Sequence, residues 1–192
     1  RMIWDDRHQW LNLFISPTAA PGATTHYCYE ARTGAWWQDE FFDTNHDPIT
    51  CCTLDGNLPD DRVALIGSWD GYVRFFDPDS ARDDGDRISS EVVIGPVLTK
   101  DLDEVMLKDL QAVLAEDSGT VNYFVHVGET AEAALGTDAV EEGVWTAGRN
   151  LSSMVRRAGH AIYLRLTSED AWAMEVIRAR LQTQGKVRRR GY

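Results

Sequence analysis

Apolar and polar positions along this chain fall into short runs bounded by turn chemistry, the pattern of strands rather than long amphipathic helices. Residues 9–16 carry Trp10, Leu11, Leu13, Phe14 and Ile15 and end at Ser16-Pro17, which predicts a strand followed by a loop over 17–22. His26-Tyr27-Cys28-Tyr29 predicts a short aromatic strand, Ala31 to Gly34 a turn, and Trp36-Trp37 opens an apolar piece that reaches Phe41-Phe42. After a loop at 43–48, strands are expected at 49–54, 62–67 and 72–76. Asp70-Gly71 between the last two is a hairpin signal. An acidic loop at 77–86 and a strand at 89–98, interrupted by Gly95-Pro96, complete this region.

An internal repeat lies within it. Cys28-Tyr29-Glu30-Ala31-Arg32-Thr33 aligns with Phe75-Phe76-Asp77-Pro78-Asp79-Ser80, each a strand end, an acid, two residues and a hydroxyl. Glu30 and Asp77 are 47 positions apart, close to the ~40–50 residues of one four-stranded propeller blade. Past Pro96 the texture changes. Residues 102–115 fit a helix or a strand pair, through Leu102, Val105, Met106, Leu110 and Val113. Val121, Tyr123, Val125 and Val127 alternate with Asn122, Phe124 and His126, which is a strand. Residues 129–135 read as a short helix or a loop, and Ala147 to Asn150 as a turn. Ile162, Leu164 and Leu166 alternate with Tyr163 and Arg165, whereas Trp172, Met174, Val176 and Ala179 leave helix and strand open. The expected fold is therefore mainly β: propeller-like blade repeats over 1–96, about two blades, followed by a β-rich, sandwich-like module over 97–192.

Composition bounds the function. The 192 residues are 43% hydrophobic and 26% charged, the balance of an ordinary folded domain. No run approaches the ~18 apolar residues of a membrane span, no signal-peptide pattern opens the chain, and Arg1 is not taken as the biological start. A net charge of −12 argues against a general nucleic-acid surface, since phosphates are repelled. The run from Lys186 to Arg190 is basic, and its bland reading is a solvated tail. Cys28, Cys51 and Cys52 have no metal spacing. Adjacent Cys51 and Cys52 point to opposite faces of a strand, and burial as small apolar groups is expected for the cysteines.

No catalytic motif appears: there is no nucleophile elbow, phosphate loop, zinc-binding helix motif or dinucleotide fingerprint. His8, His26, His46, His126 and His160 are scattered without ligand spacing. Asp77, Asp79, Asp83, Asp84 and Asp86 offer oxygens to calcium, but the spacing is not that of a known calcium loop, and a solvated turn is expected. Trp10, Trp36, Trp69, Trp145 and Trp172 sit at or beside strands, where core packing is expected rather than a sugar groove. Arg149, Arg156, Arg157 and Arg165 suit inter-subunit ion pairs, a DNA channel or a wet sheet face. No catalytic, cofactor-binding or metal residue is assigned, and no cofactor is expected.

Three pieces together resemble a known group. They are Tyr29-Glu30-Ala31-Arg32-Thr33-Gly34-Ala35-Trp36, then Leu65-Ile66-Gly67-Ser68-Trp69-Asp70-Gly71-Tyr72-Val73-Arg74-Phe75-Phe76-Asp77, and the ending. In that ending Gly148-Arg149-Asn150, Ala158-Gly159-His160-Ala161, Trp172-Ala173-Met174-Glu175 and Gly185-Lys186-Val187-Arg188-Arg189-Arg190 follow one another. This resembles the C-terminal part of bacteriophage tail structural proteins of the propeller-bearing nozzle, hub or DNA-stabilising type. The resemblance implies a non-enzymatic virion component, made in the host cytoplasm and located in the tail. Its implied partners are copies of itself in a ring, other tail or connector proteins, and packaged DNA passing through the channel. A closed propeller needs at least about four blades, so the missing ones are expected upstream in a longer chain or from another chain. The rival expectations are a receptor- or glycan-binding module of a tail and a glycan-degrading enzyme with paired carboxylates.

Overall fold

The structure, a computed structural model, describes residues 1–17, 19–22, 24–58, 61–77, 80, 82–98 and 104–183. Leu102, the residues Pro78, Asp79 and Ala81 of the acidic loop, and the basic run from Lys186 to Arg190 lie outside them. The protein is mainly β, with 58% strand against 5% helix, and among the described residues no sheet closes on itself. Among the described residues no helix is long and apolar enough to cross a membrane. The chain divides into two compact units, Arg1–Asp86 and Arg87–Tyr192.

The first unit holds two antiparallel meanders. β1 (Met2–Asp5), β2 (Trp10–Leu13), β3 (His26–Glu30) and β4 (Ala35–Asp39) pair in chain order as a four-stranded sheet. β1 has no counterpart in the sequence expectation. Its return to β2 is built by Asp5, whose carboxylate accepts from the N–H groups of Arg7 and His8 at 2.9 and 3.3 Å. β5 (Pro48–Leu54), β6 (Val63–Ser68) and β7 (Val73–Phe76) form the second meander. The predicted Asp70-Gly71 hairpin joins β6 to β7: Gly71 adopts φ +85°, and Asp70 accepts from the N–H of Tyr72 at 3.0 Å. A short ladder of β8 (Arg82–Asp83) and β9 (Asp86–Arg87) occupies what was expected to be plain loop.

The two copies of the sequence repeat occupy the same topological place, because β3 and β7 are each the third strand of a meander. In the first copy the Thr33 hydroxyl donates to the Glu30 carboxylate at 2.5 Å, and the N–H of Gly34 donates to the Glu30 carbonyl at 2.9 Å. In the second copy the N–H of Ser80 donates to the carbonyl of Asp77 at 3.2 Å. The fronts of the two sheets meet at Ile3, Phe14 and Ile66, with Phe41, Cys51 and Ala64 around them.

The second unit begins with β10 (Ser90–Val97), which pairs with β15 (Ala161–Ser168). The sequence boundary at 96/97 had attached this strand to the N-terminal region; its pairing places it in the C-terminal unit. The ladder bulges between Ile94 and Val97, at the Gly95-Pro96 interruption. The order β10-β15-β12-β13, with β12 (Val121–Gly128) and β13 (Glu141–Trp145), makes a four-stranded sheet. β11 (Val105–Leu114), flanked by β14 (Gly148–Gly159) and β16 (Met174–Thr183), makes a three-stranded one. Both segments left open between helix and strand, 102–115 and 172–181, thus contribute strands. Their apolar positions mix helical and strand spacings, and pairing with neighbours decided between them. Gly148 starts β14, so the turn expected at 147–150 is shorter and centred before Gly148, held by Asn150, whose side chain bonds both N–H and C=O of Thr146 at 3.0 and 2.7 Å.

One core draws Leu107, Leu110 and Leu114 from one sheet and Val125, Trp145 and Leu166 from the other. Tyr123 stacks on Trp145 with ring centroids 4.7 Å apart. The helix α1 (Ala131–Leu135), capped by the Thr130 hydroxyl accepting from the N–H of Ala133 at 3.1 Å, lies against the other face of β12 and β15. It covers Ala161 and Tyr163, which is why residues 161–164 are buried in succession instead of alternately. Close approach requires Gly128: a Cβ there would lie 2.5 Å from the backbone nitrogen of Ala134.

Burial separates two leucines of this unit. Leu166 is 0% exposed and Leu151 75%. Leu166→Ala is expected to cost about 2–5 kcal/mol of unfolding free energy, measured by denaturant titration. Leu151→Ala is expected to stay within about 0.5 kcal/mol.

Candidate functional site

Two polar clusters in the first unit come nearest to chemistry. The first is His26, Asp47 and Thr24. Pairing of β3 and the turn before β5 bring His26 and Asp47 together, and both are nearly sealed, at 1% and 2% exposure. His26 Nδ1 accepts from the N–H of Ile15 at 3.1 Å, so Nε2 carries the proton and donates to Asp47 Oδ1 at 3.2 Å. The Thr24 hydroxyl donates to the other carboxylate oxygen at 2.7 Å. The residue types are those of a nucleophilic triad, but the wiring is different. Catalysis needs the imidazole between hydroxyl and carboxylate, accepting the hydroxyl proton. Here the carboxylate is in the middle and the imidazole has both nitrogens committed. The cluster is a buried clamp between the start of β3 and the start of β5.

The second cluster surrounds the hairpin of β6 and β7. Arg74 donates to both oxygens of Asp70, at 3.0 and 2.6 Å, and to Asp84 at 2.9 Å. His46 lies 3.8 Å from Asp70, 4.0 Å from Asp83 and 3.8 Å from Asp84, and the N–H of Phe42 donates to Asp83 at 3.0 Å. The Arg74 hydrogen bonds, aided by the Tyr72 N–H, hold the Asp70 carboxyl down to about 2. Of the five acids considered for calcium, Asp84 is thus paired with Arg74 and Asp83 accepts from the N–H of Phe42. Among the described residues no group of three or more His, Cys, Asp or Glu side chains is arranged to hold a metal ion.

The remaining candidates do not converge. His8 bonds Asp5 at 2.7 Å, and His126 Nδ1 donates to the carbonyl of Thr137 at 3.0 Å. His160 lies 3.7 Å from Glu129. Arg165 pairs with Glu91 at 2.7 Å and Arg157 approaches Glu141 at 3.9 Å, so two of the four arginines on the last strands have acidic partners within the unit. All three cysteines are free. Cys28 is buried, and burial pushes its thiol up to about 12. Cys51 faces the inner core and Cys52 the opposite side, where it is exposed rather than buried as expected.

The backs of the two meanders carry exposed apolar side chains. Register aligns Trp4, Leu11, Tyr29 and Trp36 straight across the first sheet. The Tyr29 and Trp36 rings lie 4.8 Å apart. Trp36 is 58% exposed, which corrects the expectation that it packs in a core; Trp145 and the half-buried Trp172 do pack in one, and the half-buried Trp10 meets Trp37 edge to face. On the second sheet Cys52, Leu65 and Phe75 align in the same way, and Phe75 is 61% exposed. The sequence had placed apolar residues on these strands, but which face they would occupy depends on register, and a shift of one residue exchanges the faces.

Two outcomes test the polar clusters. Asp70 has its folded carboxyl below the ordinary 3.8, so its stabilisation is fully present above that pH and is lost as pH falls through about 2. Asp70→Asn is expected to lower the melting temperature at pH 7, and the difference from the parent to vanish as the pH is taken toward 2. Removing the His26 imidazole leaves Asp47 buried with one donor fewer, so His26→Leu is expected to cost about 3–5 kcal/mol in denaturant unfolding. No known family model matches this chain, and no curated protein matches its sequence.

Proposed function

We propose that the chain is a non-catalytic structural module of a bacteriophage tail, of the nozzle or hub kind, that assembles around the DNA path. In this reading the two meanders are propeller-like blades and the C-terminal unit is a sandwich-like module. The observation that carries the assembly part is the pair of uncovered sheet backs. A sheet that presents Trp4, Tyr29 and Trp36 on one face and packs Ile3 on the other has apolar surface on both sides. Exposed apolar surface of this continuity marks a site where something else docks. The repeat supports the blade reading, because each copy falls on the third strand of its meander, although the first sheet has four strands and the second three.

The tail assignment itself rests on the resemblance of the segments around Tyr29–Trp36, Leu65–Asp77 and the chain end. An acidic surface facing packaged DNA lets it slide without adhering, and the charge of −12 is compatible with that role. A second reading, a receptor- or glycan-binding module, draws support from the exposed Trp36 beside half-buried Tyr29, since saccharides stack on such rings.

Assembly predicts a mass that rises with concentration above that of the 21.6 kDa chain, read by sedimentation velocity. A monomer at every concentration counts against it. Gold-labelled antibody to the chain is expected to decorate the tail of intact particles in electron micrographs; labelling confined to host membranes or cytosol removes the tail assignment.

A further inference from the structure

The C-terminal unit is closed on one side and open on the other. Residues 146–147 carry β13 directly into β14, so these two edges share one side of the facing sheets, where Trp145 and Val155 are buried. β10 and β16 are the opposite edges. Trp172 joins them at one end only, its indole N–H donating to the Ser90 hydroxyl at 2.8 Å. Beyond it the core-side row is uncovered. Val92 and Ile94 pair with buried Leu166 and Leu164, and Leu181 pairs with buried Leu107. Yet these three edge residues are 41, 37 and 41% exposed. Strand numbers agree with the gap: the sheet of β10 has four strands and that of β16 has three, with no strand beyond β16 among the described residues.

We infer that an extended segment of another protein, alternating apolar and acidic residues, adds to the β16 edge as the fourth strand of its sheet. The contact is separate from the backs of the two meanders and does not depend on the tail assignment. An edge strand presents a row of N–H and C=O groups that an extended backbone matches in series. With a side-chain period of two, one set of the incoming side chains points inward, beside Leu181 and toward Val92 and Ile94, where apolar groups fit.

The other set points outward, beside Arg178 and Arg180. Register puts both arginines on the outer face: they pair with Gln111 and Asp109, whereas Leu110 and Ala112 belong to the core. Arg180 reaches Asp109 at 3.3 Å and stays 67% exposed, and Arg178 is exposed beside uncharged Gln111. Opposite charges across a strand pair stabilise it and like charges oppose it. The same arginines therefore repel a second β16 and select an acidic strand. No strand of this chain has acidic residues at two alternate positions, so the donor is a different protein.

The probe is a fluorescent peptide of alternating valine and glutamate, eight residues long like β10, titrated into the full chain and read by anisotropy. Saturable binding is expected, with amide exchange slowed along β16. Leu181→Asp, which puts a charge on the uncovered row, is expected to weaken binding at least about tenfold. Arg178→Glu lies on the exposed face and keeps the test decisive if the first variant does not fold, as judged by circular dichroism. It is expected to weaken the glutamate peptide by a similar factor and to gain affinity for a valine–lysine peptide. A version of the probe methylated at every backbone nitrogen is expected not to bind, because it cannot donate to the edge. The strand-acceptor site is overturned by any of four results: no saturation up to about 1 mM peptide, equal binding of the methylated peptide, parental affinity in a folded variant, or protection that falls on the first unit instead of β16.

Discussion

In the N-terminal unit two separate meanders become one body because Ile3 and Phe14 of the first meet Ile66 of the second. This contact is small. Among the described residues three buried side chains define it, against thirteen in the main core of the C-terminal unit. The His26–Asp47 clamp compensates locally, since a sealed and fully bonded polar pair resists sliding of one sheet against the other. It fixes geometry more than it adds free energy, because desolvating the pair offsets most of the gain. The two halves of the chain therefore differ in physical character. The C-terminal unit packs its two sheets against each other through the larger core, with α1 on a further face, whereas the N-terminal unit joins its two sheets through the smaller one.

Much of the fold was legible from residues alone. Turn chemistry located most strands of the first unit to within a residue or two: Asp70-Gly71 joined β6 to β7, and alternation at Val121, Tyr123 and Val125 marked β12 and its buried side. Legibility failed where local preference is neutral. The apolar positions over 102–115 and over 172–181 mix helical and strand spacings, and the ladders β14-β11-β16 decided it. β1 was hidden because it is only four residues long and mixes exposed Met2 and Trp4 with one buried residue, Ile3. Alternation at Ile162, Leu164 and Leu166 likewise marked β15 and its core side, while the burial of Ala161 and Tyr163 on the other face comes from α1.

The polar sites were less legible, for a related reason. His26 and Asp47 are 21 positions apart, and nothing local distinguishes them from His8 and Asp6, which stay near the surface. Only the pairing of β3 with its neighbours and the path into β5 converge them. The acidic loop invited a metal-ion reading from its charge density, yet Asp84 turns to Arg74, ten positions away, once β7 and β8 are formed. Cation partners recruited from an adjacent hairpin are invisible to any count along the chain. The exposed face of the first sheet was the hardest of all. Trp36 and Trp37 are adjacent and chemically identical, and the register across β3 alone decides that Trp36 faces outward and Trp37 inward.

Cys52 sits at the middle strand-row of the second sheet's back, beside Leu65 and in line with Phe75. Cys28 is shielded by complete burial, and Cys51 is half-buried against the inner core. The chain thus carries a native chemical reporter on one apolar surface. Alkylation by a maleimide would register, second by second, whether that surface is open or occluded, without any engineered label.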